Sequence, residues 1–203
     1  SKAGASFEKT IQSLGGDPED PFKIFPEVED YYKTILKQKI EAASKKKQQQ
    51  KEWEAANPEK AKKYNQFLNG ETPVIDFRAI EQKAGTATRG ASGTVLAHFA
   101  QTVENIIVGS ADLSNSDKTD GFLKKSKAFE RNDFSGAFLQ AGVCELTLAG
   151  VANGIALHGG IIPAIGTFFV FSDYMKPAVR LAALMELPVK YIWTHDRSEE
   201  HTF

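Results

Sequence analysis

From about residue 89 to residue 196 the chain alternates helical patterns with short apolar runs, and no other feature constrains its fold as tightly. Ile106-Ile107-Val108 and Ile161 to Ile165 are apolar on successive residues, and Val189 to Trp193 follows a proline, Pro188. A strand buried on both faces shows no polar alternation, so runs of this kind read as strands of a parallel sheet. Helical spacing fills the intervals: Arg89 to Val103, Leu146 to Leu157, and Tyr174 to Met185, the last with Ala178, Leu181, Ala182 and Met185 expected on its buried face. The alternation predicts an α/β layer fold, a parallel sheet with helices on both faces. In such sheets ligands bind beyond the carboxyl ends of the strands.

One stretch concentrates chemical groups at such an end. Gly142-Val143-Cys144-Glu145 precedes the apolar helix, His158-Gly159-Gly160 closes it, and the run to Ile165 ends in Gly166-Thr167 followed by Phe168, Phe169, Phe171 and Tyr174. A carboxylate opening an apolar helix must face water, a counter-charge or a ligand, because charged side chains are rarely buried alone. A first-turn glutamate favoured by the helix dipole accounts for Glu145 equally well. Aromatic residues after a strand ordinarily pack the core. Cys144 has no histidine close in sequence to activate it. His98 and His158 read as a helix-surface and a turn residue, with no cysteine or carboxylate cluster beside them to make a metal site.

The first third is different in kind. An apolar-periodic piece, Phe7 to Leu14, sits among the turn signals Gly15-Gly16-Asp17-Pro18 and Asp20-Pro21. Pro26 then opens a long helix to about Ala56, with Tyr31, Ile35, Ile40 and Trp53 as sparse apolar contacts. Its Lys45-Lys46-Lys47 and Gln48-Gln49-Gln50 read as a solvated face, since no aromatics are interleaved. Asn57-Pro58 restarts a helix to Leu68, with Asn57 expected as its N-cap. Pro73 to Ile80 reads as extended, Asp120-Gly121 as a turn, and the polar segment from Ser114 to Asn132 as functional or partly helical. With 203 residues, 41% of them hydrophobic, there is material for one sizeable core or one and a part. A net charge of −1 gives no reason to invoke nucleic acid or an anionic membrane. A single cysteine excludes an internal disulfide framework, no apolar run approaches the ~18 residues of a membrane span, and the first residues do not begin a signal peptide. A cytoplasmic protein is expected, and the chain's start at Ser1 rather than Met suggests a cut terminus.

Glu145 with Gly166-Thr167-Phe168 and the spacing Phe168, Phe171, Tyr174 resembles the pyrimidine-binding domain of transketolase, a thiamine-diphosphate-dependent enzyme. Four further stretches match in order and near spacing: Thr88-Arg89-Gly90-Ala91-Ser92, Gly109 to Ser116, Ala178-Val179-Arg180-Leu181, and Thr194-His195-Asp196. The resemblance implies transfer of a two-carbon ketol unit between phosphorylated sugars. It makes Glu145 the carboxylate that bonds the cofactor's pyrimidine nitrogen, and Phe168, Phe171 and Tyr174 the slot in which that ring stacks. Asp112 becomes a carboxylate near the cofactor, Arg89 and Ser116 contacts to substrate phosphate, and His195 a contact to substrate hydroxyls. A histidine satisfied locally at a strand end remains the other reading of His195. The family pattern departs at Cys144 and Leu146, where Arg and His usually flank the glutamate, and at Ala3-Gly4-Ala5-Ser6, where His-Gly-Ala-Pro is usual.

The same resemblance divides the chain. Residues 1–72 match the end of a diphosphate-binding domain and a helical linker, and 73–196 the first part of the pyrimidine domain. The Gly-Asp-Gly motif that holds Mg²⁺ and the diphosphate has no match here, so those ligands would lie upstream of Ser1, and the family's site forms between two subunits. Arg197 to Thr202 is identified as the in-frame translation of a common sequencing adapter, so 197–203 is expected to be foreign and His201 is no candidate. Two neighbouring chemistries stay open, deoxyxylulose-phosphate synthase and dihydroxyacetone synthase, and so does a noncatalytic α/β interaction module.

Overall fold

A computed structural model describes residue 4 and residues 6–196. Ala3, Ala5 and the expected foreign tail, 197–203, lie outside the described residues. The chain divides into two compact units, 1–61 and 62–203.

In the first unit, α1 (Phe7–Ser13) is capped by Ser6, whose hydroxyl accepts from the Lys9 amide at 3.3 Å. The long helix α2 (Pro26–Ala56) has its proline in the first turn, where no amide hydrogen is missed, followed by Glu27 and Glu29. None of its residues is buried, and Tyr31, Ile40 and Trp53, expected as sparse apolar contacts, are exposed. Pairs one turn apart support it: Lys33 with Glu29 at 2.8 Å, and Gln48 and Gln50 each donating to a glutamate at 2.8 Å. Asn57 stands at the expected N-cap position and also closes the helix before it. Its side-chain amide donates back to the Trp53 carbonyl at 3.0 Å, closing the end of α2, while its own carbonyl accepts the Ala61 amide of the following helix, α3 (Pro58–Leu68).

The second unit is the α/β layer. Its elements after α3 are α4 (Thr88–Thr102), β1 (Ile106–Ala111), α5 (Ser114–Asp117), α6 (Asp120–Leu123), β2 (Phe138–Ala141), α7 (Glu145–His158), β3 (Ile162–Phe168), α8 (Ser172–Leu184) and β4 (Lys190–Thr194). The four strands are all parallel, in the order β2-β1-β3-β4. Register aligns the carboxyl ends: Ala111 lies beside Ala141, Ser110 beside Gly166, and Phe168 beside Thr194. Alternate strand residues supply two cores. Val108, Ile106 and Ala164 pack with Leu96 of α4 and Phe122 of α6 on one face. Ala111 and Ile165 pack with Leu148, Ala149 and Ala152 of α7 and Met175 and Ala178 of α8 on the other. Burial on both faces is why the strands read as continuous apolar runs.

Several expectations are corrected. Leu181 and Met185 of the last helix are 53% and 49% exposed; the buried stripe is Met175, Ala178 and Ala182, spaced by three and four residues. Two alanines let α8 approach closely, and the larger Leu181 is turned about 100° away from Ala182. Asp120-Gly121 opens α6 rather than making a turn, and a 3₁₀ turn, Phe77–Ala79, interrupts the expected extended segment. His98 is half-buried, and its Nε2 lacks a hydrogen-bond partner. The turn after α7 does need its glycines: Gly159 and Gly160 hold φ of 80° and 82°.

Candidate functional site

The site is assembled where β3 and β4 end and α7 begins. Leu148, Ala149 and Ala152 seat α7 on the sheet, and two of these three contacts are alanines. The small residues carry the first turn of the helix down to the strand ends. Glu145 is therefore the first residue of α7 and yet only 5% exposed. Among the described residues no hydrogen bond or ion pair engages its carboxylate, and its oxygens are not among the solvent-buried unpartnered atoms, so the acid side chain is tucked against the helix while its carboxylate stays accessible. The group lines an open cavity of about 410 Å³ with Val143, Cys144, Leu146, Thr147, Phe171 and Tyr174.

Three aromatic rings form a row beside it. Phe168 ends β3, Phe171 closes a 3₁₀ turn, and Tyr174 lies in the first turn of α8. The Phe168 and Phe171 ring centroids are 5.8 Å apart and 9° from parallel, and those of Phe171 and Tyr174 are 6.2 Å apart at 25°. Tyr174 is 63% exposed, so core packing does not account for it. Phe171 and Tyr174 line the cavity that holds the carboxylate, and Phe168 continues the row beyond it.

At its other end the row meets His195. The imidazole lies over Phe168 with centroids 3.8 Å apart, and His195 holds a left-handed φ of 56°. Arg89 Nη1 approaches His195 Nε2 at 2.7 Å. A guanidinium only donates, so Nε2 accepts, the ring proton sits on Nδ1, and that N–H donates to Thr194 Oγ1 at 2.9 Å. Arg89, in the first turn of α4, and His195, 106 residues later, are thus brought into one contact.

Asp112 and Ser116 stand apart. Both lie on the strap after β1, next to β3 in the sheet, but no hydrogen bond or ring contact joins either to the aromatic row. Asp112 is exposed with φ of 63°, and the Ser116 hydroxyl donates to Asn115 Oδ1 at 3.2 Å. Sequence reasoning missed Thr167, whose buried hydroxyl lacks a partner one residue before Phe168. Its signal was a polar residue closing an apolar strand. It also missed the apolar rim, Val143 and Leu146, readable only as hydrophobic residues flanking a carboxylate. Among the described residues there is no group of three or more His, Cys, Asp or Glu side chains able to hold a metal ion. No helix among them is long and apolar enough to cross a membrane.

The model of the family described as transketolase, pyrimidine binding domain, matches residues 84–199. The chain is 41% identical over 181 residues to a transketolase of Halalkalibacterium halodurans, and 39% identical over 188 residues to one of Bacillus subtilis. Each comparison covers 88% of this chain and 27% of the relative, so the chain spans about a quarter of their length. Among solved structures it is similar to a transketolase from Leishmania mexicana, with a TM-score of 0.78 and 28% identity over 91% of this chain and 28% of that one. A Pichia stipitis transketolase in complex with sedoheptulose 7-phosphate gives 0.77 and 28% identity over 93% and 29%.

Proposed function

Because this chain belongs to the transketolase family through its pyrimidine-binding domain, we propose that it supplies the pyrimidine-side half of a thiamine-diphosphate site that transfers two-carbon ketol units between sugar phosphates. One observation carries the reading: the carboxylate of a largely buried glutamate, without a protein partner, opens onto a cavity it shares with stacked aromatic rings. That pairing fits an aminopyrimidine, a flat ring with nitrogen atoms that exchange protons. Bound thiamine diphosphate would supply the electron sink that cleavage of a carbon–carbon bond beside a carbonyl requires and no side chain offers.

The residues then have separable tasks. Phe168, Phe171 and Tyr174 orient the ring, and stacking of this kind adds ~0.5–1.5 kcal/mol per pair, enough to align it and too little to hold it alone. Glu145 would hold and return a proton at a carboxylate oxygen for the cofactor's aminopyrimidine. Arg89 suits a substrate phosphate because its planar guanidinium binds two oxygens at once. His195, its ring tilted against Phe168 with centroids 3.8 Å apart, is assigned to the substrate hydroxyls. Ser116 is assigned to the same phosphate and Asp112 to the cofactor's neighbourhood.

The remainder of the site is assigned outside residues 1–203. Mg²⁺ and the diphosphate fall to the domain whose end we place at residues 1–72, with 73–196 as the pyrimidine domain and 197–203 as a foreign tail. A homodimer of cytoplasmic location, each site shared by two subunits, is part of the same proposal. The decisive experiment restores the full-length protein from its source DNA and assays transfer from xylulose 5-phosphate to ribose 5-phosphate with thiamine diphosphate and Mg²⁺. Glu145→Gln is expected to lower kcat by ~10²–10⁴-fold. Cofactor binding without turnover of these sugars would favour another thiamine-dependent chemistry, and absence of binding would leave an α/β interaction module.

A further inference from the structure

Behind the strap that carries Asp112 and Ser116 lies a second carboxylate, Asp117, to which the proposed chemistry gives no role. It is the last residue of α5 and 0% exposed. Its Oδ2 accepts from Ser110 Oγ at 2.6 Å, and its Oδ1 accepts from the Thr119 amide at 2.9 Å and the Thr119 hydroxyl at 2.7 Å. All three donors are neutral, and Ser110 and Thr119 are themselves buried. A buried acid fully engaged by neutral donors is a specific arrangement, since each missing donor would leave part of the carboxylate without solvation.

The network spans the strap from end to end. Ser110 belongs to β1, and its Oγ also accepts the Leu113 amide at 3.2 Å. The Leu113 carbonyl in turn accepts the amides of Ser116 and Asp117, both at 2.8 Å. Asp112 and Lys118, with φ of 63° and 66°, bend the chain into and out of this segment through a conformation that side-chain-bearing residues resist. Something must hold both bends, and the Asp117 carboxylate bonds Thr119 beside one and Ser110 two residues before the other. It also touches β3. A β-carbon at Gly166 would lie 3.0 Å from Asp117 Oδ2 and 2.6 Å from Thr119 Cγ2, so the strand carries glycine where the network rests on it. Gly166 is two residues before Phe168, so strap and aromatic row are registered against each other through this contact.

We propose that Asp117 is a positioning residue: its buried carboxylate, through Ser110 and Thr119, holds residues 110–119 in the one conformation that presents Asp112 and Ser116 at the sheet edge. The roles of those two residues rest on the function proposed above, so the test separates the two ideas. In the full-length protein, Asp117→Ala should raise KM for a phosphorylated acceptor at least about tenfold and weaken thiamine diphosphate binding several-fold, because a displacement near 1 Å is that costly. KM for an unphosphorylated acceptor should move less than about twofold, since Ser116 serves the phosphate alone. Asp117→Asn should stay within about threefold of the parent on every reading, because its amide oxygen keeps both Thr119 donors and its amide nitrogen can donate to Ser110 Oγ. Ser110→Ala removes the hydroxyl's bond to Asp117 and its acceptance of the Leu113 amide but leaves the carboxylate its two Thr119 donors, and should shift the same quantities in the same direction if Asp117→Ala fails to fold. Amide exchange at Leu113, Ser116 and Asp117 provides a readout independent of activity, expected to accelerate at least about tenfold in the alanine variants, ahead of β1. Parent-like constants and parent-like exchange in Ser110→Ala and Asp117→Ala would overturn the proposal, as would equal KM changes for both acceptors. A parent protein with no ketol transfer but strap exchange that responds to these variants would refute the function and leave the positioning intact.

Discussion

Removing the Asn153 side chain should loosen three elements at once. Asn153 lies in α7 and is 8% exposed. Its Nδ2 donates to the Ala178 carbonyl of α8 at 2.8 Å, and its Oδ1 accepts the Tyr191 hydroxyl of β4 at 2.8 Å. Each bond contributes ~1 kcal/mol net, and leaving a half-buried Tyr191 hydroxyl with poor access to water adds a further fraction of the ~1–3 kcal/mol desolvation cost. Asn153→Ala should therefore cost ~2–3 kcal/mol, or about 4–12 °C in Tm for a domain of this size. Tyr191→Phe removes one bond and should cost ~1–2 kcal/mol. The double variant should fall short of the sum by ~1 kcal/mol, because the shared bond can be lost only once. Urea denaturation reads this through Trp193, whose ring centroid is 5.9 Å from Tyr191, in a Trp53→Phe background that leaves one of the two tryptophans. A single Asn153→Ala with the parent midpoint, or strict additivity in the cycle, would refute the reasoning.

Gly166→Ala should destabilise by ~1–3 kcal/mol through overpacking against Thr119 and Asp117. Adding Thr119→Ser, which deletes the clashing methyl and keeps the hydroxyl, should recover part of the loss in the same urea assay. Burial pushes the Tyr191 phenol above its ordinary value. A raised folded-state pKa leaves stability intact below the unfolded phenol value of ~10 and removes it as pH rises through the folded value. The urea midpoint should thus decline above pH ~10, and Tyr191→Phe should show a shallower decline, with absorbance near 295 nm reporting one late-titrating tyrosine.

The parallel sheet was legible because its strands are buried on both faces, which leaves Ile106-Ile107-Val108 and Ile161 to Ile165 without polar interruption. β2 was not, because Phe138–Ala141 is a four-residue edge strand whose third residue, Gln140, faces solvent. Helix ends announced by proline were legible at Pro26 and Pro58, whereas the capping direction of Asn57 depended on which neighbouring helix left a carbonyl unsatisfied nearest its amide. In the site, Glu145 and the aromatic spacing are local patterns on one continuous stretch. The meeting of Arg89 with His195 joins residues 106 positions apart, and the Asp117 network depends on a strap that bends through two left-handed residues with no glycine to mark it. Periodicity records what faces the core, so it is silent on polar groups that bond one another across a loop.

That division explains why Glu145 could be noticed and yet left ambiguous. Both readings put an acid at the head of an apolar helix; they differ in where its oxygens end. A glutamate placed for the helix dipole gains most when water solvates its other side, and that requires exposure. Glu145 falls in the buried class with the core alanines behind it, though less completely enclosed than they are, on a helix whose small contact residues pull its first turn inward, while Tyr174 and Leu146 around it stay exposed. A largely buried acid side chain beside half-open aromatic rings is the reverse of what stability alone selects, which is the acid outside and the rings inside. The inversion has a physical rationale when something flat and nitrogen-bearing lies across the rings and completes the carboxylate's hydrogen bonding, so the same two departures from folding preference that make the region unfavourable as a core make it suitable as a cofactor slot.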